Sequence, residues 1–147
     1  MHIKILNRKD FVLKTCALCI SGTGLSLIES CKTKSTVVKA KLFGGKISVQ
    51  KEELISKKKL LLEIEELPYP IYISCNAKNE IHSFYMKCTH RDYKVEFKND
   101  QFYCNNHGSR FNSLGVVIEG PAKINLLELS VKDLNESYII DASSLDV

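Results

Sequence analysis

Between residues 59 and 141 the hydrophobic positions form short runs instead of recurring at helical spacing. Most runs are rich in aliphatic, β-branched or aromatic residues, and turn formers such as Asn76, Asn79 and Asn135 separate them. Runs of this length and composition between turn residues are typical of β-strands. The predicted strands are Lys59–Leu67, Ile71–Cys75, Ile81–Met86, Tyr93–Phe97, Gln101–Cys104, Val116–Glu119, Leu126–Lys132 and Tyr138–Asp141. The pattern therefore predicts an all-β, antiparallel domain.

One pair of predicted strands shows a two-residue period. Val95 and Phe97 alternate with charged residues, which is the pattern of a strand with one solvated face. The Asn99-Asp100 pair that follows favours a hairpin turn. We therefore expect Gln101–Cys104 to return beside the preceding strand.

The first thirty residues have the layout of a secretory signal peptide. Four basic residues precede an apolar stretch, namely Lys4, Arg8, Lys9 and Lys14. The stretch from Thr15 to Ile28 is shorter than the roughly 20 residues that span a bilayer as a helix, so a permanent membrane helix is disfavoured. Residues 7–14 resemble a twin-arginine export motif with lysine in place of the second arginine. That route would suit cargo that binds its cofactor before export, and a general secretory route is the alternative.

The segment Leu27-Ile28-Glu29-Ser30-Cys31 resembles a bacterial lipobox, although Glu29 is an unusual occupant. Cleavage before Cys31 would leave this cysteine as the lipidated amino terminus. Two or more acyl chains would anchor the protein to a membrane, because each buried CH₂ contributes about 0.8 kcal/mol. The alternative is that Cys31 is one more thiol of a signal peptide that already contains Cys16 and Cys19.

Composition agrees with a single exported domain. The chain has 147 residues and a formal net charge of +4, and the first thirty residues contribute four basic and two acidic side chains. The remainder has a net charge of about +2, which does not indicate a nucleic-acid partner. It has the size of one ordinary domain and leaves no room for a separate catalytic domain. We therefore expect a signal peptide at 1–30, a tether at 31–45 and the folded domain at 46–147.

Two short segments each supply one thiol and one imidazole. The first is Cys88-Thr89-His90, and the second, thirteen residues later, is Cys104-Asn105-Asn106-His107-Gly108-Ser109. An iron–sulfur centre with two cysteines on one iron and two histidines on the other needs this set of side chains. A structural zinc site is the alternative. The mixed pairing argues against zinc, because zinc fingers usually pair Cys with Cys and His with His.

These motifs resemble those of the Rieske [2Fe-2S] family, over the stretch from about Leu60 to Asp141. A third segment, Glu119-Gly120-Pro121-Ala122, is similar to the proline loop that covers the cluster in that family. The resemblance implies an antiparallel β-sandwich with a cluster-binding tip formed by two loops. It also implies one [2Fe-2S] cluster per chain.

The resemblance assigns roles to six residues. Cys88 and Cys104 would bind one iron through sulfur, and His90 and His107 would bind the other through a ring nitrogen. Gly108 would let the backbone approach the cluster. The hydroxyl of Ser109 resembles the family position that hydrogen-bonds a bridging sulfide.

The sequence departs from the respiratory members of the family in two places. No cysteine follows His90 closely, and Asn106 stands where the second loop would carry its extra cysteine, so the disulfide beside the cluster is not expected. Phe111 replaces a tyrosine whose hydroxyl reaches a ligand sulfur in those proteins. Hydrogen bonds to the sulfurs raise the reduction potential. We therefore expect a potential between those of plant-type ferredoxins and the respiratory Rieske proteins.

The function that the resemblance implies is one-electron transfer on the periplasmic side of a bacterial membrane, with the lipid on Cys31 as the anchor. The partner would be a redox protein or an oxidoreductase complex, and any substrate chemistry would belong to another subunit. One alternative is the small electron-transfer subunit of an exported oxidoreductase of the arsenite-oxidase-like or oxygenase type. Another is a lipoprotein with structural zinc.

Other residues are expected to have structural roles. We expect Cys75 to be a buried thiol and His82 to lie at the surface or in packing. Four residues are candidates for an apolar cover over the cluster, namely Phe84, Phe111, Leu114 and Pro121.

Overall fold

The computed structural model describes residues 35–145, which contain eleven strands and one helix. The strands are β1 (Thr36–Ala40), β2 (Lys46–Gln50), β3 (Lys59–Ile64), β4 (Ile71–Cys75), β5 (Ile81–Tyr85), β6 (Glu96–Lys98), β7 (Gln101–Tyr103), β8 (Arg110–Asn112), β9 (Val117–Glu119), β10 (Val131–Asp133) and β11 (Ser137–Asp141). The helix, α1, covers Lys51–Lys57. The predicted all-β sandwich is confirmed.

The strands form three sheets, and the first lies between the other two. Sheet I has the order β1-β3-β4-β5, sheet II the order β10-β11-β2, and sheet III the order β6-β7-β8-β9. Side chains alternate between the two faces of a strand. Along β4, Ile71 and Ile73 enter the core shared with sheet II, whereas Tyr72 enters the core shared with sheet III. Strand β4 is therefore buried on both faces.

Aromatic contacts hold sheet III against sheet I. The ring of Tyr72 stacks on Phe97 with centroids 4.4 Å apart, and it meets Phe102 edge-on at 5.2 Å. An ion pair between Lys59 Nζ and Asp100 Oδ1, 2.7 Å apart, joins the same two sheets at their edge. Pairs of aromatic rings stabilise by about 0.5–1.5 kcal/mol beyond the area they bury. Sheet III is therefore held firmly on the base formed by sheets I and II.

The predicted hairpin is confirmed. Strands β6 and β7 pair with Phe97 opposite Phe102. Asn99 and Asp100 both have positive φ angles, 52° and 56°. Two-residue turns with positive φ at both central positions match the twist of the flanking strands. The hairpin connects the two segments that carry the candidate ligands.

The structure differs from the expected antiparallel pattern at its beginning. Strand β1 pairs with β3 in parallel, with Thr36 opposite Leu60. The expected tether at 31–45 is corrected here, because Val38 and Ala40 pack against the main core and residues 36–40 belong to the folded domain.

Helix α1 was not predicted either. Leu54 is its one buried residue, so the apolar pattern that would mark a helix is almost missing.

The predicted signal peptide, the lipobox and Cys31 lie outside the described residues. Within residues 35–145, no helix is long and apolar enough to cross a membrane.

The turn before β9 allows a stability test at Gly115. Its φ is +72°, and an added Cβ would stand 2.7 Å from Cε1 of the buried ring of Phe84. We expect Gly115→Ala to lower the free energy of unfolding by about 3 kcal/mol, through backbone strain and overpacking together. Urea denaturation followed by circular dichroism measures this change.

Gly44→Ala is the matched control. Gly44 has a φ of +55°, but nothing lies within 4 Å of its added Cβ, so only the backbone cost of about 1 kcal/mol applies. Equal losses in the two variants would contradict the proposed close packing of Phe84 on the turn.

Candidate metal centre

Two loops carry the candidate ligands, and both close in the same way. Loop 1 covers residues 86–95 between β5 and β6, and loop 2 covers residues 104–109 between β7 and β8. In loop 1 the backbone N–H of Cys88 donates to the carbonyl of Tyr93 at 2.8 Å. In loop 2 the N–H of Cys104 donates to the carbonyl of Ser109 at 2.9 Å. Each cysteine thus bonds five residues ahead and closes a ring that contains the histidine.

The structure brings the four candidate ligands together. Cys88 and Cys104 are each about 1% exposed and belong to the core under sheet III. Neither thiol is part of a disulfide. The rings of His90 and His107 lie edge to face with centroids 4.9 Å apart, and both residues are partly exposed. The thiols are therefore on the inner side of the site and the imidazoles on the outer side.

The titration of the site reflects this burial. Burial raises the pKa of the Cys104 thiol, and the neighbouring thiol of Cys88 raises it further, although backbone N–H groups of loop 2 act in the opposite direction. Burial also lowers the pKa of His90, and the proximity of His107 and Arg91 adds to that effect. Neutral imidazoles are the form that binds metals. Two adjacent thiols, by contrast, can both lose their protons only if a cation compensates the charge.

Two unpaired polar atoms show that the site fits a metal centre. The Nδ1 atoms of His90 and His107 are both buried and have no hydrogen-bond partner among the described residues. A buried polar group without a partner is destabilising unless another species binds it. Beside them, Gly108 has a φ of +81°, and nothing lies within 4 Å of the position a Cβ would take. Two free thiols, two unpaired Nδ1 atoms and an open glycine fit the donor set of a Rieske cluster.

Among residues 35–145, no three His, Cys, Asp or Glu side chains converge closely enough to hold one metal ion. The protein ligands of a Rieske cluster instead divide into two pairs, one on each iron.

A third loop, residues 120–125, is bonded to both ligand loops. The N–H of Ala122 donates to Oγ of Ser109 at 3.0 Å, and Ser109 is completely buried. The hydroxyl of Thr89 donates to the carbonyl of Ile124. The peptide bond between Gly120 and Pro121 in this loop is cis. The three loops therefore form one connected unit around the four candidate ligands.

Two residues of this unit were not identified from the sequence. Thr89 lies between two candidate ligands in the sequence. Its hydroxyl was the one feature that could have indicated a hydrogen bond at the site. Tyr93 has no such signal, yet its ring lies 5.1 Å from that of His107 at 66°. Loop 1 is also held by Tyr69, because the hydroxyl of this residue donates to the carbonyl of Asp92 at 2.6 Å.

Several other expectations can be compared with the structure. Phe84 and Phe111 are fully buried in the core beneath the loops, whereas Leu114 is 53% exposed. The buried rings therefore form the floor of the site and not its cover.

Cys75 lies in the other core, as expected of a structural thiol. His82 pairs with Glu128 at 2.9 Å, outside the three loops.

A comparison with known families identifies the family of the chain. The family model of the Rieske [2Fe-2S] domain matches residues 31–133, which is more than half of the chain. The chain belongs to the Rieske [2Fe-2S] family. Its cofactor is therefore a Rieske [2Fe-2S] cluster, and its function is iron–sulfur electron transfer. Of the two metal centres that the residues alone had left open, the family match supports the iron–sulfur cluster.

Solved structures of Rieske proteins are similar to the chain. The cyanobacterial plasma membrane Rieske protein PetC3 from Synechocystis PCC 6803 is 26% identical, with 63% of this chain and 95% of that chain covered and a TM-score of 0.52. The complex of oxygenase and ferredoxin in carbazole 1,9a-dioxygenase is 18% identical, with coverages of 60% and 85% and a TM-score of 0.43. The monooxygenase CntA is 13% identical, with coverages of 81% and 36% and a TM-score of 0.45. No curated protein matches the sequence significantly.

The bond between Ser109 and Ala122 can be tested through stability. Ser109→Ala would leave the buried N–H of Ala122 without its acceptor, which costs about 1–3 kcal/mol. Ser83→Ala is the matched control, because the hydroxyl of Ser83 is equally buried but has no hydrogen-bond partner among the described residues. We expect that control to leave the free energy of unfolding unchanged or to raise it, because alanine removes a buried hydroxyl that has no partner. Similar losses in the two variants, measured by urea denaturation, would show that the bond does not hold the loops together.

Proposed function

We propose that Cys88 and Cys104 bind one iron of the cluster, that His90 and His107 bind the other, and that the protein passes single electrons between redox partners through this site. The observation that carries the proposal is the pair of buried, unpartnered Nδ1 atoms beside two buried free thiols. All four groups lie on two loops that close by the same hydrogen bond.

The residues around the site support transfer of electrons to and from the surface. When bound, a Rieske cluster accepts and releases one electron at a potential set by hydrogen bonding and exposure. The buried thiols of Cys88 and Cys104 exclude water from the inner side. The partly exposed rings of His90 and His107 lie on the outer side, where a partner can approach.

Ser109 is proposed to tune the site. Its oxygen accepts a hydrogen bond from the N–H of Ala122, so its own proton remains available for donation. Complete burial keeps water from competing for that proton. We assign this proton to a bridging sulfide, and Gly108 to close approach of the backbone.

Export and membrane attachment form a further part of the proposal. We propose a signal peptide at 1–30, a lipid anchor on Cys31 and a short connection to β1, which begins at Thr36. This places the electron-transfer domain on the periplasmic side of a bacterial membrane. The lipobox-like segment supports the anchor, and the plasma membrane location of the similar protein PetC3 is consistent with it.

Ligand variants test the assignment. We expect about two irons per chain and a Rieske-type electron paramagnetic resonance signal after reduction with dithionite. Cys88→Ser, His90→Ala and His107→Ala should each abolish that signal, because each removes one of four ligands. The controls are Cys75→Ser and His82→Ala, which lie outside the site and should keep both iron and signal. Retention of the signal in a ligand variant, or its loss in both controls, would contradict the assignment.

The reduction potential tests the role of Ser109. We expect the parent protein to titrate between about −400 mV, typical of plant-type ferredoxins, and about +300 mV, the upper end of the Rieske range. One hydrogen bond to sulfur is kept through Ser109, and one is lost because Phe111 has no hydroxyl. Ser109→Ala should lower the potential, and Ser83→Ala should leave it unchanged. A parent value near the upper limit, or no shift in Ser109→Ala, would refute this account.

A further inference from the structure

The three loops around the site carry an excess of positive charge. Residues 86–95, 104–109 and 120–125 contain one acidic side chain, Asp92. They contain four basic ones, Lys87, Arg91, Lys94 and Lys123. The part of the molecule nearest the histidines is therefore more basic than the domain as a whole, whose net charge is about +2.

Asp92, the one acidic side chain of these loops, already forms an ion pair. Asp92 Oδ1 lies 3.1 Å from Nζ of Lys87, and this contact raises the pKa of Lys87. On the adjoining strands, Arg110 pairs with Glu119 at 2.8 Å. By contrast, Arg91, Lys94 and Lys123 form no ion pair with any residue in the range 35–145.

The three unpaired cations are each next in sequence to a residue that belongs to the site or bonds to it. Arg91 follows His90 directly in loop 1. Lys94 follows Tyr93, whose ring contacts that of His107 at 5.1 Å. Lys123 lies between the two residues that bond the third loop to the ligand loops, Ala122 and Ile124. Loop 1, which carries His90, and the third loop, which bonds to both ligand loops, therefore contain all three of these cations.

Exposed apolar side chains accompany these charges. Ile124 is 68% exposed and Tyr93 is 41% exposed. An apolar centre with a charged rim is the usual composition of a protein–protein contact. We define the tip surface as Arg91, Tyr93, Lys94, Lys123 and Ile124.

We propose that the tip surface is the docking site for an acidic redox protein, whose carboxylates pair with Arg91, Lys94 and Lys123 while an apolar patch covers Tyr93 and Ile124. This inference rests on the proposed function, because it takes the histidines as the point where electrons leave. Unpaired charges at the rim of a contact mainly accelerate association with an oppositely charged partner. Acidic side chains on the partner would bring its redox centre to His90 and His107.

Small redox ions of opposite charge test the local field. The reduced, cluster-loaded protein gives one electron to ferricyanide, an anion, or to tris(phenanthroline)cobalt(III), a cation, and stopped-flow absorbance records each rate constant. The readout is the ratio of the two rate constants, because any change in the reduction potential affects both reactions similarly. At about 0.1 M salt, charges more than about 10 Å away are largely screened.

The test variant is Arg91→Glu combined with Lys94→Glu and Lys123→Glu. The control is Lys57→Glu combined with Lys58→Glu and Lys78→Glu, which changes the net charge equally. The control residues lie at the end of sheet I opposite loop 1. The N–H of Cys75, the last residue of β4, donates to the carbonyl of Lys58 at 2.9 Å. Lys78 lies in the turn before β5, whereas loop 1 follows the other end of that strand.

We expect the anion-to-cation ratio to fall about tenfold or more in the test variant, to stay within about twofold in the control, and to converge for all proteins at about 1 M salt. Equal changes in test and control would overturn the inference, because net charge alone would then explain them. If the test variant fails to assemble its cluster, Lys123→Glu alone should still lower the ratio, and no change in that variant would also overturn it. Absence of electron transfer from the parent itself would instead refute the proposed function.

A polyglutamate peptide tests the acidic partner directly. It should bind the parent and the control variant in isothermal titration calorimetry, and it should not bind the test variant. It should also slow the oxidation of the parent by ferricyanide, because it would occupy the tip surface. If the parent bound vesicles of anionic phospholipid through the same three residues but not polyglutamate, the tip surface would be a membrane contact and the inference would be wrong.

Discussion

The structure depends on one constraint, which is that two buried thiols and two imidazoles lie close together at one site. These four groups lie together, and a bound metal centre would give a partner to the two buried imidazole nitrogens that have none among the described residues. The chain brings them together with two loops of the same design, each closed by a hydrogen bond from the cysteine N–H to the carbonyl five residues ahead. The third loop then bonds to both, through Ser109 and Thr89. Removing the bond to Ser109 would leave the buried N–H of Ala122 without its acceptor.

The sheets serve to hold these loops in place. Strand β4 is buried on both faces, so sheet I packs against sheet II on one side and sheet III on the other. Both ligand loops begin or end at strands of sheet III, and loop 1 also continues β5 of sheet I. Contacts of Tyr72 with Phe97 and Phe102 join the two sheets beneath the site. Because sites on rigid elements hold their ligands more accurately than isolated loops do, this packing supports electron transfer with little rearrangement.

Much of the fold and most of the candidate site could be predicted from local sequence patterns. Strand β4 has the predicted bounds, and the turn at Asn99 and Asp100 has the expected backbone conformation. The missed elements depend on distant contacts. Strand β1 is recognisable only through its pairing with β3, about twenty residues later. Strand β6 begins three residues after its predicted start, because the backbone of Tyr93 and Val95 closes loop 1 instead. Thr89 likewise bonds to a loop more than thirty residues away, and its hydroxyl between two candidate ligands was the only local sign of that role.

The most direct measurement of the central claim is pulsed electron paramagnetic resonance on the reduced protein with isotope-labelled histidine. This method detects nitrogen nuclei that are bonded to the reduced iron. We expect two coupled histidine nitrogens in the parent, and loss of the Rieske signal when either His90 or His107 is replaced. Coupling to no histidine nitrogen, or to one alone, would contradict the account, because both unpaired Nδ1 atoms are assigned to the cluster.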